Sequence, residues 1–214
     1  MEPNKYLEDI TEIKNIMNRS SRFISLSGLS GVLAGIYALI GAALAYTRLK
    51  MMSSANYEGL SGRSSSLWGT DVIRDLSLIA GAVVILAAVT GFLMTLRKSK
   101  RSGEKIWDAT SKRLVVNFFI PLISGGIFCL VLIQYGLPGL VAPATLIFYG
   151  LACINASKYT MGDVRYMGLA FLLIGLISTQ FIGYGLYFWA LGFGIFHILY
   201  GSMMYFKYDR NRNL

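Results

Sequence analysis

A strongly basic segment, residues 97–113, constrains this chain more than any other feature, because an apolar run lies on each side of it. The flanking runs, residues 72–96 and 114–135, are each long enough to cross a bilayer. Basic segments beside transmembrane helices stay in the cytoplasm, so this one predicts the direction of both neighbouring spans. Its basic residues are Arg97, Lys98, Lys100, Arg101, Lys105, Lys112 and Arg113.

The amino-acid composition also indicates a membrane protein. Of the 214 residues, 55% are hydrophobic and only 14% are charged, whereas soluble domains average about 45–50% and about 25%. A net charge of +9 in a soluble protein would indicate nucleic acid as a partner. Here the positive charges lie beside apolar runs, so the expected partners are membrane lipids with anionic headgroups at the cytoplasmic face, and nucleic acid is not expected.

Hydropathy and charge together predict one all-α integral membrane domain with six transmembrane helices. The predicted spans are residues 23–46, 72–96, 114–135, 138–157, 166–182 and 186–206. With both termini in the cytoplasm, all but four of the 20 basic residues fall inside, and five or seven spans would break this asymmetry. The four outside are Arg48, Lys50, Arg63 and Arg74. The expected location is the bacterial inner membrane.

The segments outside the predicted spans also allow structural predictions. Residues 47–71, rich in Ser and Gly, are predicted to form an outward loop. The basic segment is predicted to be a cytoplasmic loop, with a short interfacial helix near Trp107. Residues 3–21 have apolar side chains at helical spacing opposite charges of both signs, which predicts an amphipathic helix at the cytoplasmic interface. Because its polar face is mixed in charge, residues 3–21 are expected to contact a protein partner or a second copy.

Small residues recur every fourth position at the start of the first span. Ser27, Gly31 and Gly35 form this row, which predicts close packing by another helix. The surrounding stretch, SSRFISLSGLSGVLAG, follows the amphipathic segment. Over about its first 45 residues the chain resembles a family of small bacterial polytopic membrane proteins whose function is uncharacterised. The resemblance implies no activity and no catalytic residues.

A short pattern recurs in the second half of the chain. Tyr135-Gly136-Leu137 and Lys158-Tyr159 reappear 49 residues later as Tyr184-Gly185-Leu186 and Lys207-Tyr208. This recurrence predicts that spans 3–4 and spans 5–6 are repeated helical hairpins. Spans 1–2 would then form a third copy in a bundle of three hairpins.

The spans hold few groups that could perform chemistry. No Asp, Glu, Lys or Arg lies near the centre of any predicted span, so paired carboxylates and a carboxylate proton relay are missing. The two cysteines, Cys129 and Cys153, fall inside spans, where free buried thiols are expected. Metal-ligand spacing and phosphate-binding loops are also missing. The sequence therefore does not predict an enzyme, a metal or a cofactor.

His197, the only histidine, lies near the middle of the sixth span. One interpretation is a neutral structural histidine, hydrogen-bonded to Tyr200, Tyr149, or a Ser or Thr. The other is a functional histidine that lines a polar cavity, ligates a haem iron or gates by protonation, because imidazole both donates and accepts hydrogen bonds and titrates near neutral pH. One histidine cannot form a bis-histidine haem site or a zinc site within a monomer. The candidate cavity or ligand residues are His197, Gln180, Tyr200 and Asn155.

Two functions follow as expectations. The lack of buried charge, the small-residue row and residues 3–21 predict a non-catalytic membrane protein that acts through association. It would be a homo-oligomer or an accessory subunit of a membrane complex. The alternative is a small facilitator or transporter of a neutral or lipid-like solute, through a cavity near His197.

Overall fold

The computed structural model of the chain describes residues 27–58, 69–102 and 107–209, and every regular element in these ranges is helical. Four α-helices come first and a fifth follows a short polar turn. They are α1 (Gly28–Glu58), α2 (Thr70–Ser102), α3 (Ala109–Gln134), α4 (Val141–Ala156, after the 3₁₀ turn Pro138–Leu140) and α5 (Val164–Ser178). The last helix, α6, is a continuous run of Gly185–Trp189, the π-helical stretch Ala190–Phe196, His197–Met204 and the π-helical stretch Tyr205–Asp209.

Five of these helical segments are long and apolar enough to cross a membrane, so the chain is a multi-pass membrane protein. They are Gly28–Met51, Thr70–Arg101, Ala109–Gln134, Pro138–Ala156 and Gly185–Tyr208. The helix within the predicted fifth span, α5, is apolar but has only 15 residues. The predicted all-α class is confirmed over the described residues. The amphipathic helix at 3–21 lies outside them.

Two predicted loops are wrong over part of their length, because the helices continue past the apolar runs. The first helix continues to Glu58, and α2 continues to Ser102. Neither glycine nor proline, the two residues that most weaken a helix, occurs in residues 47–58 or 97–102, so polar sequence alone does not stop these helices.

Of the short interfacial helix predicted near Trp107, only Trp107 and Asp108 lie among the described residues. These two residues form a bend, and α3 begins at the next residue. The Asp108 side chain accepts a hydrogen bond of 2.6 Å from the Ser111 amide, which caps α3 and holds the pKa of Asp108 below its usual value. The last turn of α2 carries Lys100 and Arg101, where cations favour the helix dipole. Lys105 lies outside the described residues.

The helices pack in an order that differs from their order in the sequence. Helix α1 packs between α2 and α6, and α6 packs against the α4–α5 pair. Helix α3 packs on α4, so α2 and α3 are edge helices although they are consecutive in the chain.

Polar contacts define the two ends of the bundle. At the end that we call the basic end, Lys207 of α6 contacts Asp163 of the α4–α5 turn, with 2.6 Å between Nζ and Oδ2. At the opposite end, Arg48 of α1 forms a salt bridge of 2.8 Å with Asp75 of α2.

The two predicted hairpins differ in structure. Helices α3 and α4 pack along their lengths, whereas α5 packs mainly on α4 and much less on α6. Each of the two turns contains one glycine in the left-handed conformation. It is Gly136 in the first turn, with φ of 71°, and Gly183 in the second, with φ of 100°. These two glycines do not keep the 49-residue spacing of the sequence recurrence, so the recurrence does not correspond to equivalent hairpins.

Glycines bring α1 and α6 into backbone contact. A β-carbon at Gly201 would lie 2.6 Å from the Val32 amide nitrogen and 2.7 Å from the Gly28 carbonyl oxygen. One at Gly35 would lie 2.7 Å from the Gly194 carbonyl oxygen. Gly31 and Gly35 of the predicted small-residue row thus lie in this contact. Ser27 precedes α1, and its carbonyl accepts a hydrogen bond of 2.6 Å from the Ser30 hydroxyl.

We expect Gly201→Ala to destabilise the bundle by about 1–3 kcal/mol, because the added methyl group meets backbone atoms that cannot move independently. The measurement is thermal unfolding in detergent with a thiol-reactive fluorophore, which reports the exposure of the two buried cysteines. Gly126→Ala is the matched control, since a β-carbon there has no neighbour within 4 Å. Equal unfolding midpoints for the two variants would show that the α1–α6 contact is looser than described.

Candidate functional site

His197 is buried where α6 changes its helical geometry. It follows directly after the π-helical stretch Ala190–Phe196 and is 9% exposed. Within that stretch Gly192 and Gly194 let α6 approach its neighbours, since a β-carbon at Gly192 would lie 2.5 Å from a Leu146 methyl group. Short π-helical segments inside longer helices are common at functional sites, because the wider turn re-aims the residues that follow.

Aromatic rings surround the imidazole of His197. The ring centroids of Tyr149 and Phe171 lie 5.3 Å and 5.2 Å from it, and Phe193, one turn earlier on α6, stacks on it at 6.0 Å. The Nε2 atom of His197 and the Tyr149 hydroxyl form a hydrogen bond of 2.8 Å. Of the partners predicted for His197, the structure therefore selects Tyr149 on α4.

Two polar atoms beside this pair lack partners. The second ring nitrogen of His197, Nδ1, is buried and makes no hydrogen bond with a described residue, although the Gly192 carbonyl is near the ring. The Tyr200 hydroxyl, one turn later on α6, is likewise buried without a hydrogen-bond partner. Leaving a buried polar atom unsatisfied costs about 1–3 kcal/mol, so both atoms require an explanation.

Further polar groups connect this pair to the basic end of the bundle. Tyr149, Tyr200 and Tyr208 all pack against the buried cluster that contains Cys153. The Tyr208 hydroxyl in turn donates a hydrogen bond to Asp163. We call this series of six groups the polar file: His197, Tyr149, Cys153, Tyr200, Tyr208 and Asp163.

The file ends at a carboxylate near the surface. Asp163 accepts hydrogen bonds from Lys207, at 2.6 Å, and from the Tyr208 hydroxyl, at 3.0 Å. The Lys207 ammonium, followed by the Tyr208 hydroxyl, holds the pKa of Asp163 below its usual value, so this carboxylate is ionised at neutral pH. The walls of the file are apolar and include Met161, Val164 and Met204.

Asn155 has a different role, which is to satisfy the backbone of α3. Pro121 has no amide hydrogen, so the carbonyl of Asn117, four residues earlier, loses its helical partner. The Asn155 amide donates to that carbonyl at 2.8 Å and lies 3.3 Å from the Asn117 side-chain oxygen. Asn155 therefore holds α4 against α3 at the break caused by Pro121.

Gln180 lies apart from His197. It is exposed just after the end of α5, and its amide donates to the Thr179 hydroxyl at 3.2 Å. Among the four candidate residues, the structure brings together His197 and Tyr200, which lie one turn apart. It places Asn155 against α3 and Gln180 at the surface. The sequence predicts Tyr149 only as a hydrogen-bond partner of His197. It does not connect Cys153, Tyr208 or Asp163 with His197.

The described residues contain no group of three or more His, Cys, Asp or Glu side chains that could hold a metal ion. Both cysteines are free and buried. The site as described offers hydrogen-bonding groups and aromatic surface.

Comparison of the chain with protein-family models, with curated proteins and with solved structures finds no match. The resemblance of the first 45 residues to small bacterial membrane proteins therefore stays a prediction. Function has to be inferred from the packing and polar contacts of the chain itself.

We expect Asn155→Leu to destabilise the protein by about 0.6–1.7 kcal/mol, the range measured for hydrogen bonds between transmembrane helices. The reason is that the Asn117 carbonyl then has no donor. Pro121→Ala restores a helical amide for that carbonyl, so the same change should be less destabilising in this background. A double-mutant cycle by thermal unfolding measures the difference. Additive effects would mean that Asn155 and Pro121 act independently.

Proposed function

We propose that the chain is a bacterial inner-membrane protein with six transmembrane helices and both termini in the cytoplasm. The 15 residues of α5 span about 22 Å, which is shorter than the roughly 30 Å hydrocarbon core. However, α5 begins beside Asp163, at the basic end, and is followed by the turn that leads to Gly185. A β-carbon at Gly185 would lie 3.2 Å from Ala142, near the start of α4. The helix thus connects the two ends that α4 and α6 also join.

The basic end supports the proposed orientation. It carries the ends of α2 and α3 with their six described basic residues, together with Lys207. The opposite end carries Arg48, Lys50 and Arg74, and each of the two arginines lies within 3.4 Å of an aspartate oxygen. Positive charge is therefore concentrated at the basic end, which the positive-inside rule assigns to the cytoplasm.

Reporter fusions test this topology. A green fluorescent protein fused after Leu214 should fluoresce, and alkaline phosphatase inserted after Arg63 should be active, since each reporter works on one side of the membrane only. Alkaline phosphatase fused after Leu214 is the matched control and should be inactive. Phosphatase activity at the carboxyl terminus would place that terminus outside the cytoplasm. It would therefore contradict the proposed combination of six spans and two cytoplasmic termini.

Within this membrane protein, the proposed function is association with a second copy of the chain. The observation that carries it is that α2 packs extensively on α1 alone, while the rest of its surface is apolar and exposed. The face turned away from α1 has a spacing of alternating three and four residues. It consists of Leu78, Gly81, Ile85, Ala88 and Phe92. We call this face the α2 stripe.

The α2 stripe is suited to pairing with its own copy. Large and small residues alternate along it, so the large side chains of one helix fit the spaces above the small residues of the other. A β-carbon at Gly81 has no neighbour within 4 Å, so this space is unoccupied within one chain. The stripe carries no charge that would repel a copy. The glycines of α1 are not available for this contact, because Gly28, Gly31 and Gly35 already pack on α6 and Gly41 packs on Val83 of α2.

Disulfide cross-linking tests the association. Ala88→Cys in native membranes should form a dimer on mild oxidation, because the same residue of two copies would face each other across a symmetric contact. Ile123→Cys, on the exposed face of the other edge helix α3, is the matched control and should stay monomeric. The native cysteines are buried and should not react.

Two outcomes would contradict self-association through α2. One is equal cross-linking of both variants, which indicates random collision in the membrane. The other is a monomer for Ala88→Cys at every protein-to-lipid ratio. A cross-link to a different protein would instead identify the accessory-subunit form of the same function.

A second candidate function is a facilitator of a small neutral solute. The observation that favours it is the pair of unpartnered buried atoms beside the Tyr149–His197 hydrogen bond, namely His197 Nδ1 and the Tyr200 hydroxyl. A polar molecule bound between helices could satisfy both atoms.

A further inference from the structure

We propose that the polar file holds water continuous with the basic end of the bundle, so that His197 lies at the inner end of a blind aqueous inlet. The ligands that such an inlet accepts are water and small uncharged hydrogen-bonding solutes. This inference deepens the second candidate function and rests on the same residues. It is independent of association through the α2 stripe.

The inner part of the file has unfilled hydrogen-bonding capacity. A buried water needs two to four polar partners. His197 Nδ1 and the Tyr200 hydroxyl are buried without a partner, and the Tyr149 hydroxyl and the Cys153 thiol lie among them. Water supplies both donors and acceptors, so it satisfies either tautomer of the imidazole.

The outer part of the file leads to solvent. His197 and Lys207 are ten residues apart on α6, which corresponds to about 15 Å along the helix. Tyr200 lies between them, and Tyr200 and Tyr208 pack against the same buried cluster. At the mouth, the side chain of Asp163 is 22% exposed and that of Lys207 is 54% exposed. An ionised carboxylate and an ammonium group keep this mouth hydrated.

The file stops at His197 because the lining beyond it is aromatic. Towards the opposite end, α6 presents Phe193 and Trp189, whose ring centroids are 5.1 Å apart. Phe171 of α5 packs against Phe193 at 5.2 Å and is fully buried. In the described conformation these rings separate the inlet from the opposite face of the membrane.

The two native cysteines allow a matched test on the unmodified protein. Cys153 lies in the file and is 2% exposed, whereas Cys129 is 8% exposed and packs with Leu132 and Ala144 in an apolar cluster. Exposure alone would make Cys129 the more reactive thiol. Water held in the file would reverse this order.

The experiment is X-ray hydroxyl-radical footprinting of the full chain in lipid nanodiscs, with mass spectrometry of each peptide. Radicals formed from bound water oxidise the side chains beside it. We expect Cys153 and Tyr200 to be oxidised several-fold faster than Cys129. In ¹⁸O-labelled water the incorporated oxygen should carry the label, because the inlet exchanges with bulk solvent.

Tyr200→Phe provides the second variant. It removes one of the hydroxyls that hold the water and keeps the ring, so oxidation of Cys153 should fall towards the rate of Cys129. Oxidation of Cys153 no faster than that of Cys129 in the native protein would overturn the inlet. A rate for Cys153 that is unchanged in Tyr200→Phe would also overturn it. Neither result would affect cross-linking at Ala88→Cys, which tests association separately.

Discussion

A polar atom that leaves water must find a partner inside the bundle, and this requirement decides how several of the helices meet. Pro121 shows it most directly, because the carbonyl it frees on α3 is taken up by Asn155 of α4. The start of α3 follows the same rule through the Asp108 cap. Four buried side-chain atoms among the described residues break the rule: the hydroxyls of Ser111 and Ser178, His197 Nδ1 and the Tyr200 hydroxyl. The two serines lie at the ends of α3 and α5, whereas His197 and Tyr200 are one turn apart in the polar file, so only there do two such atoms lie close together.

Glycine determines which helices are internal. In lipid the apolar side chains gain little by leaving their surroundings, so close backbone contact and dispersion hold the helices together. The α1–α6 contact depends on such glycines, and so does the α4–α5 contact, where a β-carbon at Gly150 would lie 2.7 Å from the Gly168 carbonyl oxygen. In α2, by contrast, Gly81 and Gly91 have no such neighbours. Among the described residues, α2 is thus left with an apolar face that no other helix covers.

The sequence predicted those features that depend on local composition. Apolar runs located the helices, and His197 could be assigned a tyrosine partner. The extents of α1 and α2 were missed because a helix can continue through polar residues beyond the end of an apolar run. The role of Asn155 was missed for a different reason. Pro121 and Asn117 are visibly four residues apart, but the donor lies on another helix, and only the fold shows that α4 packs there. The polar file likewise joins residues from α4, the following turn and α6.

The contact between Gly28 and Gly201 joins the first described helix to the last. Translation proceeds at about 5–20 residues per second, so roughly ten to thirty seconds separate the synthesis of these two glycines. During that interval the glycines of α1 that face α6 in the complete bundle have no α6 to pack against. The bundle therefore closes late, and a ribosome that stalls before α6 would leave this contact unmade.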